Sequence, residues 1–91
     1  MPKSTSKLAS KEDVQLRFGV AVRAFRDARK LTQEQLAEFS DMHVTYISQI
    51  ERGLKNVSLF NIHRLAHALG VAPAELLGSV SHMQSFGARH Q

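Results

Sequence analysis

Residues 31–53, LTQEQLAEFSDMHVTYISQIERG, limit the fold more than any other stretch. They read as two short helices with only a few residues between them. Thr32 is placed to cap the first, with Gln35 three residues on in capping-box spacing. Leu36 and Ala37 face inward from this helix, which covers about Gln33 to Phe39. Ser40-Asp41-Met42 breaks it, since Ser and Asp accept turn geometry. The second helix starts near His43 or Val44 and runs to Arg52. Ile47 and Ile50 form its apolar face, with Met42 in support. Gly53 stops it, as a residue that takes positive φ without steric cost.

Two short helices joined this tightly describe a helix-turn-helix, whose second helix can enter a DNA major groove. Pairs of short helices also occur in many bundles, so periodicity alone leaves both readings open. The motif becomes specific through its residues. Gln33, Leu36 and Ala37, then the run Tyr46-Ile47-Ser48-Gln49-Ile50-Glu51-Arg52-Gly53, resemble the lambda-repressor-like, or Cro-like, transcriptional regulators. The likeness continues through Leu65-Ala66, Leu69-Gly70-Val71 and Leu76-Leu77, and covers roughly residues 14–78. It implies an all-α fold: a compact five-helix lambda-repressor-like domain over residues 12–78. A basic N-terminal arm over 1–11 and a C-terminal tail over 79–91 flank it.

In chain order, the arm holds Lys3, Lys7 and Lys11 among small and polar residues. Its apolar area is too small to offset ordering entropy. A frayed tail is the plainer reading, and a phosphate or minor-groove contact is the other. The first helix is expected from Lys11 or Glu12 to Arg29, capped by Ser10 with Asp13 three residues on. Val14, Phe18, Val22 and Phe25 recur at helical spacing and form its core face. Gly19 permits another helix to come close. Ser58 caps a later helix lined inwardly by Leu59, Ile62, Leu65, Ala66 and Leu69. Asn61, His63, Arg64 and His67 are expected on its exposed side. Gly70 ends it, and Pro73 opens a short last helix, where Pro suits the first position.

The resemblance assigns roles residue by residue. Arg26 and Glu51 match an ion pair that ties the first helix to the end of the recognition helix. Gln33 matches a phosphate contact, with local capping as the alternative. Val44, Thr45 and Gln49 match positions that face base edges. Gln49 can pair with adenine N6/N7, and Val44 and Thr45 can pack on a thymine methyl. Lys55 and Asn56 match phosphate grips after the recognition helix. From their placement alone, Ser48, Arg52 and Asn61 join the phosphate-contact set, with a base contact or tight packing as the alternatives for Ser48 and pairing with an acidic surface group for Arg52. Tyr46 either touches the DNA backbone or buries against the first helix. Phe39 falls where relatives carry a polar residue, so it extends the core or makes an apolar patch. Asp41 stands where relatives have Gly, and His43 where they cap with Ser or Thr. The Asn56-Val57-Ser58 run, without the common Pro, resembles the small controllers of restriction–modification operons.

Leu76 and Leu77 are adjacent and cannot point the same way; one closes the core while the other reaches a partner. A homodimer through Leu77, Val80, Met83 and Phe86 would place two recognition helices about 34–36 Å apart. The alternative is a tail that packs on its own domain, or disorder from Ser81 onward.

Composition narrows the remaining classes. Twelve Lys and Arg against eight Asp and Glu give a formal net charge of +4, a modest bias toward nucleic acid. Cysteine is absent, which excludes disulfides and thiolate zinc sites. His63 and His67 stand four apart on one helix without an obvious further ligand, so a surface role is expected and no metal. No cofactor is expected, and no nucleophile–base arrangement or phosphate-binding glycine loop suggests an enzyme. The lack of a long apolar run makes the cytoplasm the default and a membrane partner unexpected. The expected function is a homodimeric regulator of a double-stranded DNA operator, controlling its own or adjacent genes by repression or activation, with RNA polymerase a further contact. An antitoxin that autoregulates its operon, or a helical adaptor without DNA binding, are the alternatives.

Overall fold

The structure, a computed structural model, describes residues 9–78 and 80. Every regular element among them is a helix: α1 (Lys11–Ala28), α2 (Gln33–Ser40), α3 (Val44–Glu51), α4 (Leu59–Leu69) and α5 (Pro73–Leu76). The five-helix all-α expectation is met. Lys11 opens α1 and so lies on the domain side of the expected arm boundary. The rest of that arm up to Leu8, and Met83 and Phe86, lie outside the described residues.

Local chemistry fixes the ends of each helix. Asp13 N–H donates to Ser10 Oγ at 3.0 Å. Thr32 and Gln35 form a reciprocal box: Gln35 N–H donates to Thr32 Oγ1 at 3.0 Å, and Thr32 N–H to Gln35 Oε1 at 2.8 Å. Asn61 N–H donates to Ser58 Oγ at 3.2 Å. At the other ends, Gly70 turns left-handed at φ 71°, and Arg29 donates to its carbonyl at 3.3 Å. Asp41 also turns left-handed, at φ 57° and ψ 49°, so the turn forms with a residue less suited to it than Gly.

The core is built from one face of each helix. Val22, Leu36, Ile47, Leu65 and Leu76 are fully buried, with Phe18, Ile50, Ala66 and Leu69 beside them. Full burial of each large aliphatic side chain is worth about 1.5–3 kcal/mol. Helix α1 packs across α3, α2 packs against α3 and α4, and α4 carries α5. Among expected core residues, Val14, Phe25 and Ile62 are only half-buried. Leu59 is a correction: at the first position of α4 it is 80% exposed. Its spacing places it in the apolar stripe, but no other element covers the start of α4 there. Three helix ends also shift by a residue. Arg29 caps α1 from outside, α2 runs through Ser40, and Arg52 is the C-cap of α3.

Candidate nucleic-acid interface

Helix α3 has two unlike sides. Ile47 and Ile50 are buried, as is Glu51 at its end. Thr45 and Arg52 are exposed, and Ser48 and Gln49 half-buried. Lys55 and Asn56, in the loop that follows, are exposed. Val44 is half-buried and packed against the core cluster, so only part of it is available to a partner. The edge running from Thr45 through Gln49 to Arg52 is the polar side of a helix whose other side the core holds.

The C-terminal end of α3 is anchored to α1 by three contacts. Gly19 lies directly against the Ile50 and Glu51 carbonyls. Gln15 Nε2 donates to the Gly53 carbonyl at 3.2 Å. The third contact is a buried fork: Arg26 Nε donates to Glu51 Oε2 at 2.6 Å and Arg26 NH2 to Glu51 Oε1 at 2.9 Å. Arg26 NH1 also donates to the Leu31 carbonyl at 2.8 Å. The hydrogen bond to Glu51 holds the Arg26 guanidinium above its ordinary value, against the opposing effect of burial, with the nearby Glu51 and Asp27 charges adding to it. Arg26 is therefore charged at any working pH. Gln33 joins this pair, its Nε2 donating to Glu51 Oε1 at 3.0 Å. The amide at the start of α2 is thereby held in place, with its second hydrogen left for another acceptor.

The N-terminal end of α3 is held more weakly. His43 Nδ1 accepts from Thr45 N–H at 3.4 Å, a long bond for a cap. Tyr46 is half-buried against the core, and its hydroxyl turns toward α4, where it accepts from Asn61 Nδ2 at 3.4 Å and keeps its own proton to donate. Asn61 is half-buried rather than projecting freely, and its Oδ1 accepts from Arg64 NH1 at 3.1 Å.

Arg64 departs from its expected exposed position. It reaches back to the end of α2, where Nε donates to the Ser40 carbonyl at 3.1 Å and NH2 to the Asp41 carbonyl. NH2 also lies 3.4 Å from Asp41 Oδ2. Phe39 is 55% exposed and Phe60 66% exposed, so Phe39 belongs to an apolar patch rather than the core. With His63, Arg64 and His67 these rings line a shallow groove between α2 and α4.

At the far end, Leu76 is the member of its pair that closes the core. Leu77 and Val80 line an apolar groove with Val14, Phe18, Val57 and Ile62. Among the described residues, no group of three or more His, Asp and Glu is arranged to hold a metal ion, and no helix is long and apolar enough to cross a membrane.

The sequence reading missed Gln15 and the capping roles of Arg29 and Arg64. For Gln15 a signal existed. Gln15, Gly19, Val22 and Arg26 follow helical spacing along one side of α1, and all four are buried or half-buried. The Arg29 and Arg64 contacts join residues 41 and about two dozen positions apart, and no local pattern announces them.

Comparisons with known proteins agree with this architecture. A family model described as helix-turn-helix matches residues 22–76. Control protein C.BamHI of Bacillus amyloliquefaciens is 50% identical over 66 residues, which span 71% of this chain and 82% of that protein. Control protein C.SmaI of Serratia marcescens is 46% identical over 56 residues, 62% of this chain and 67% of that one. The crystal structure of the restriction-modification controller protein C.AhdI from Aeromonas hydrophila matches with a TM-score of 0.67 at 45% identity, covering 68% of this chain and 94% of that one. With the supported α3, its polar outer edge and these relatives together, the chain belongs to the helix-turn-helix family of DNA-binding transcriptional regulators, in its lambda-repressor-like, Cro-like branch.

Proposed function

We propose that this protein is a homodimeric, sequence-specific regulator of the restriction–modification controller type, which occupies a pseudo-palindromic operator and controls its own or adjacent genes. One observation carries the reading: the polar side of α3 runs from exposed Thr45 through half-buried Gln49 to exposed Arg52, while α1 holds the C-terminal end of the helix through Gly19, Gln15 and the Arg26–Glu51 fork. A helix held this firmly can deliver side chains to base edges without paying again for order. Thr45 and Gln49, with the accessible part of Val44, read bases. Gln33, Ser48, Arg52, Lys55, Asn56 and Asn61 contact phosphates and set the register. The controller subtype is supported by the 50% and 46% identities to two control proteins.

Dimerisation through Leu77 and Val80 fits the apolar groove they line. A two-fold dimer would bring two copies of α3 to adjacent major grooves about 34–36 Å apart. The operator's position relative to RNA polymerase then sets repression or activation. Selection of bound duplexes from a random pool, followed by sedimentation of the complex, tests the proposal. A symmetric motif bound by two protomers is the expected result. Absence of any sequence preference, even at low salt, would overturn it.

A further inference from the structure

We propose that Arg64 is a positioning residue for DNA recognition, clamping the α2–α3 turn from α4 and fixing the pose of α3 through Asn61 and Tyr46. The DNA half of this proposal rests on the function proposed above. The clamp itself stands on geometry. Asp41 holds a left-handed backbone, φ 57° and ψ 49°, in which an L residue other than Gly is disfavoured. The carbonyls at the end of α2 also lack helical partners. Arg64 answers both needs at once. Its Nε reaches the Ser40 carbonyl at 3.1 Å, its NH2 reaches the Asp41 carbonyl, and the same nitrogen lies 3.4 Å from the Asp41 carboxylate. A guanidinium at this place also complements the negative end of the α2 dipole.

The remaining nitrogen of the guanidinium meets Asn61, one turn earlier on α4. NH1 donates to Asn61 Oδ1 at 3.1 Å, which turns Nδ2 toward the Tyr46 hydroxyl across a long bond of 3.4 Å, so the orientation of the amide matters more here than the strength of that bond. The Phe60 ring supports the guanidinium carbon from 5.3 Å. Turn, α4 and α3 are thus joined through one planar group with donors in a fixed fork. A lysine ammonium cannot reproduce that fork. Tyr46 lies between Thr45 and Gln49 in sequence, so a shift in its anchorage moves both.

A double-mutant cycle tests the proposal on the full chain, using Arg64→Met, Arg64→Lys, Asp41→Gly and the Arg64→Met/Asp41→Gly pair. Denaturation is measured without DNA. Binding is measured on the selected operator and on an unrelated duplex, at a temperature where each variant is folded. Arg64→Met should lower the denaturation midpoint less in the Asp41→Gly background, because Gly takes the turn geometry unaided. Arg64→Lys and the double variant should each lose about tenfold in operator affinity. The salt slope should stay as in the wild type, and binding to the unrelated duplex should fall by less than operator binding, through the neutral Asn61 contact alone. An unchanged denaturation midpoint on Arg64→Met in both backgrounds would overturn the turn clamp. A salt slope reduced by about one counterion would make Arg64 a phosphate contact instead. Wild-type operator affinity in Arg64→Lys would overturn the positioning role. If the wild type itself shows no sequence preference, the DNA-binding reading fails, while the stability cycle still decides the clamp.

Discussion

Gly19 and Ile50 meet so closely that no side chain fits between them. A Cβ on Gly19 would stand 2.2 Å from the Ile50 carbonyl oxygen and 2.9 Å from that of Glu51. Both obstructing atoms are backbone at the end of the recognition helix, so they cannot swing aside as a side chain would. Gly19→Ala gains helix propensity, about 1 kcal/mol, and loses more by forcing α1 and α3 apart. A net destabilisation of about 1–3 kcal/mol is expected. Thermal and chemical denaturation check it, and a variant as stable as the wild type would contradict the contact.

The Arg26–Glu51 fork predicts a coupled loss. Glu51→Ala leaves the Arg26 guanidinium buried with its partner gone and removes the acceptor of Gln33. Breaking a buried pair in this way costs about 3–5 kcal/mol. DNA affinity should fall with stability, because the same carboxylate ties α1, α2 and α3 together. Unchanged denaturation midpoints would argue that the pair is not buried. The raised guanidinium value has a definite sign: its stabilisation is complete below the unfolded value and is lost only as pH climbs through the higher folded one. Arg26 itself therefore adds no pH dependence across the neutral range.

His43 is a weak cap, bonded at 3.4 Å to Thr45 N–H. His43→Ser offers a shorter and better-placed acceptor, and should stabilise the protein by about 0.5–1 kcal/mol. Amide hydrogen exchange at Thr45 and Tyr46 should slow along with the rise in midpoint. A fall in stability would show that the imidazole contributes more than its cap.

Gln49 and Arg52 separate base reading from phosphate contact. Gln49→Ala should relax preference at one base position, at a cost of about 1–3 kcal/mol for the preferred site. Arg52→Ala should weaken all duplexes alike and lower the salt slope by about one. Equal salt slopes for wild type and Arg52→Ala would remove the phosphate role. Binding titrations at several salt concentrations on matched and mismatched duplexes read out both.

The sequence alone determined what local chemistry controls. Caps at Ser10, Thr32 and Ser58, the stops at Gly53 and Gly70, and the apolar spacing of Leu36, Ile47, Ile50, Leu65 and Leu69 located α1 to α4 within a residue or two, and Pro73 marked the start of α5, because each signal acts within a turn or so of chain. Only the tertiary structure decided which polar side chains leave the surface. Gln33 turns to Glu51, Asn61 to Tyr46, and Arg64 to the end of α2, while Leu59 stays exposed although its spacing fits the core stripe. Those outcomes depend on which helix lies opposite. A residue's own neighbours in the chain carry no information about an unpaired carbonyl two dozen positions away.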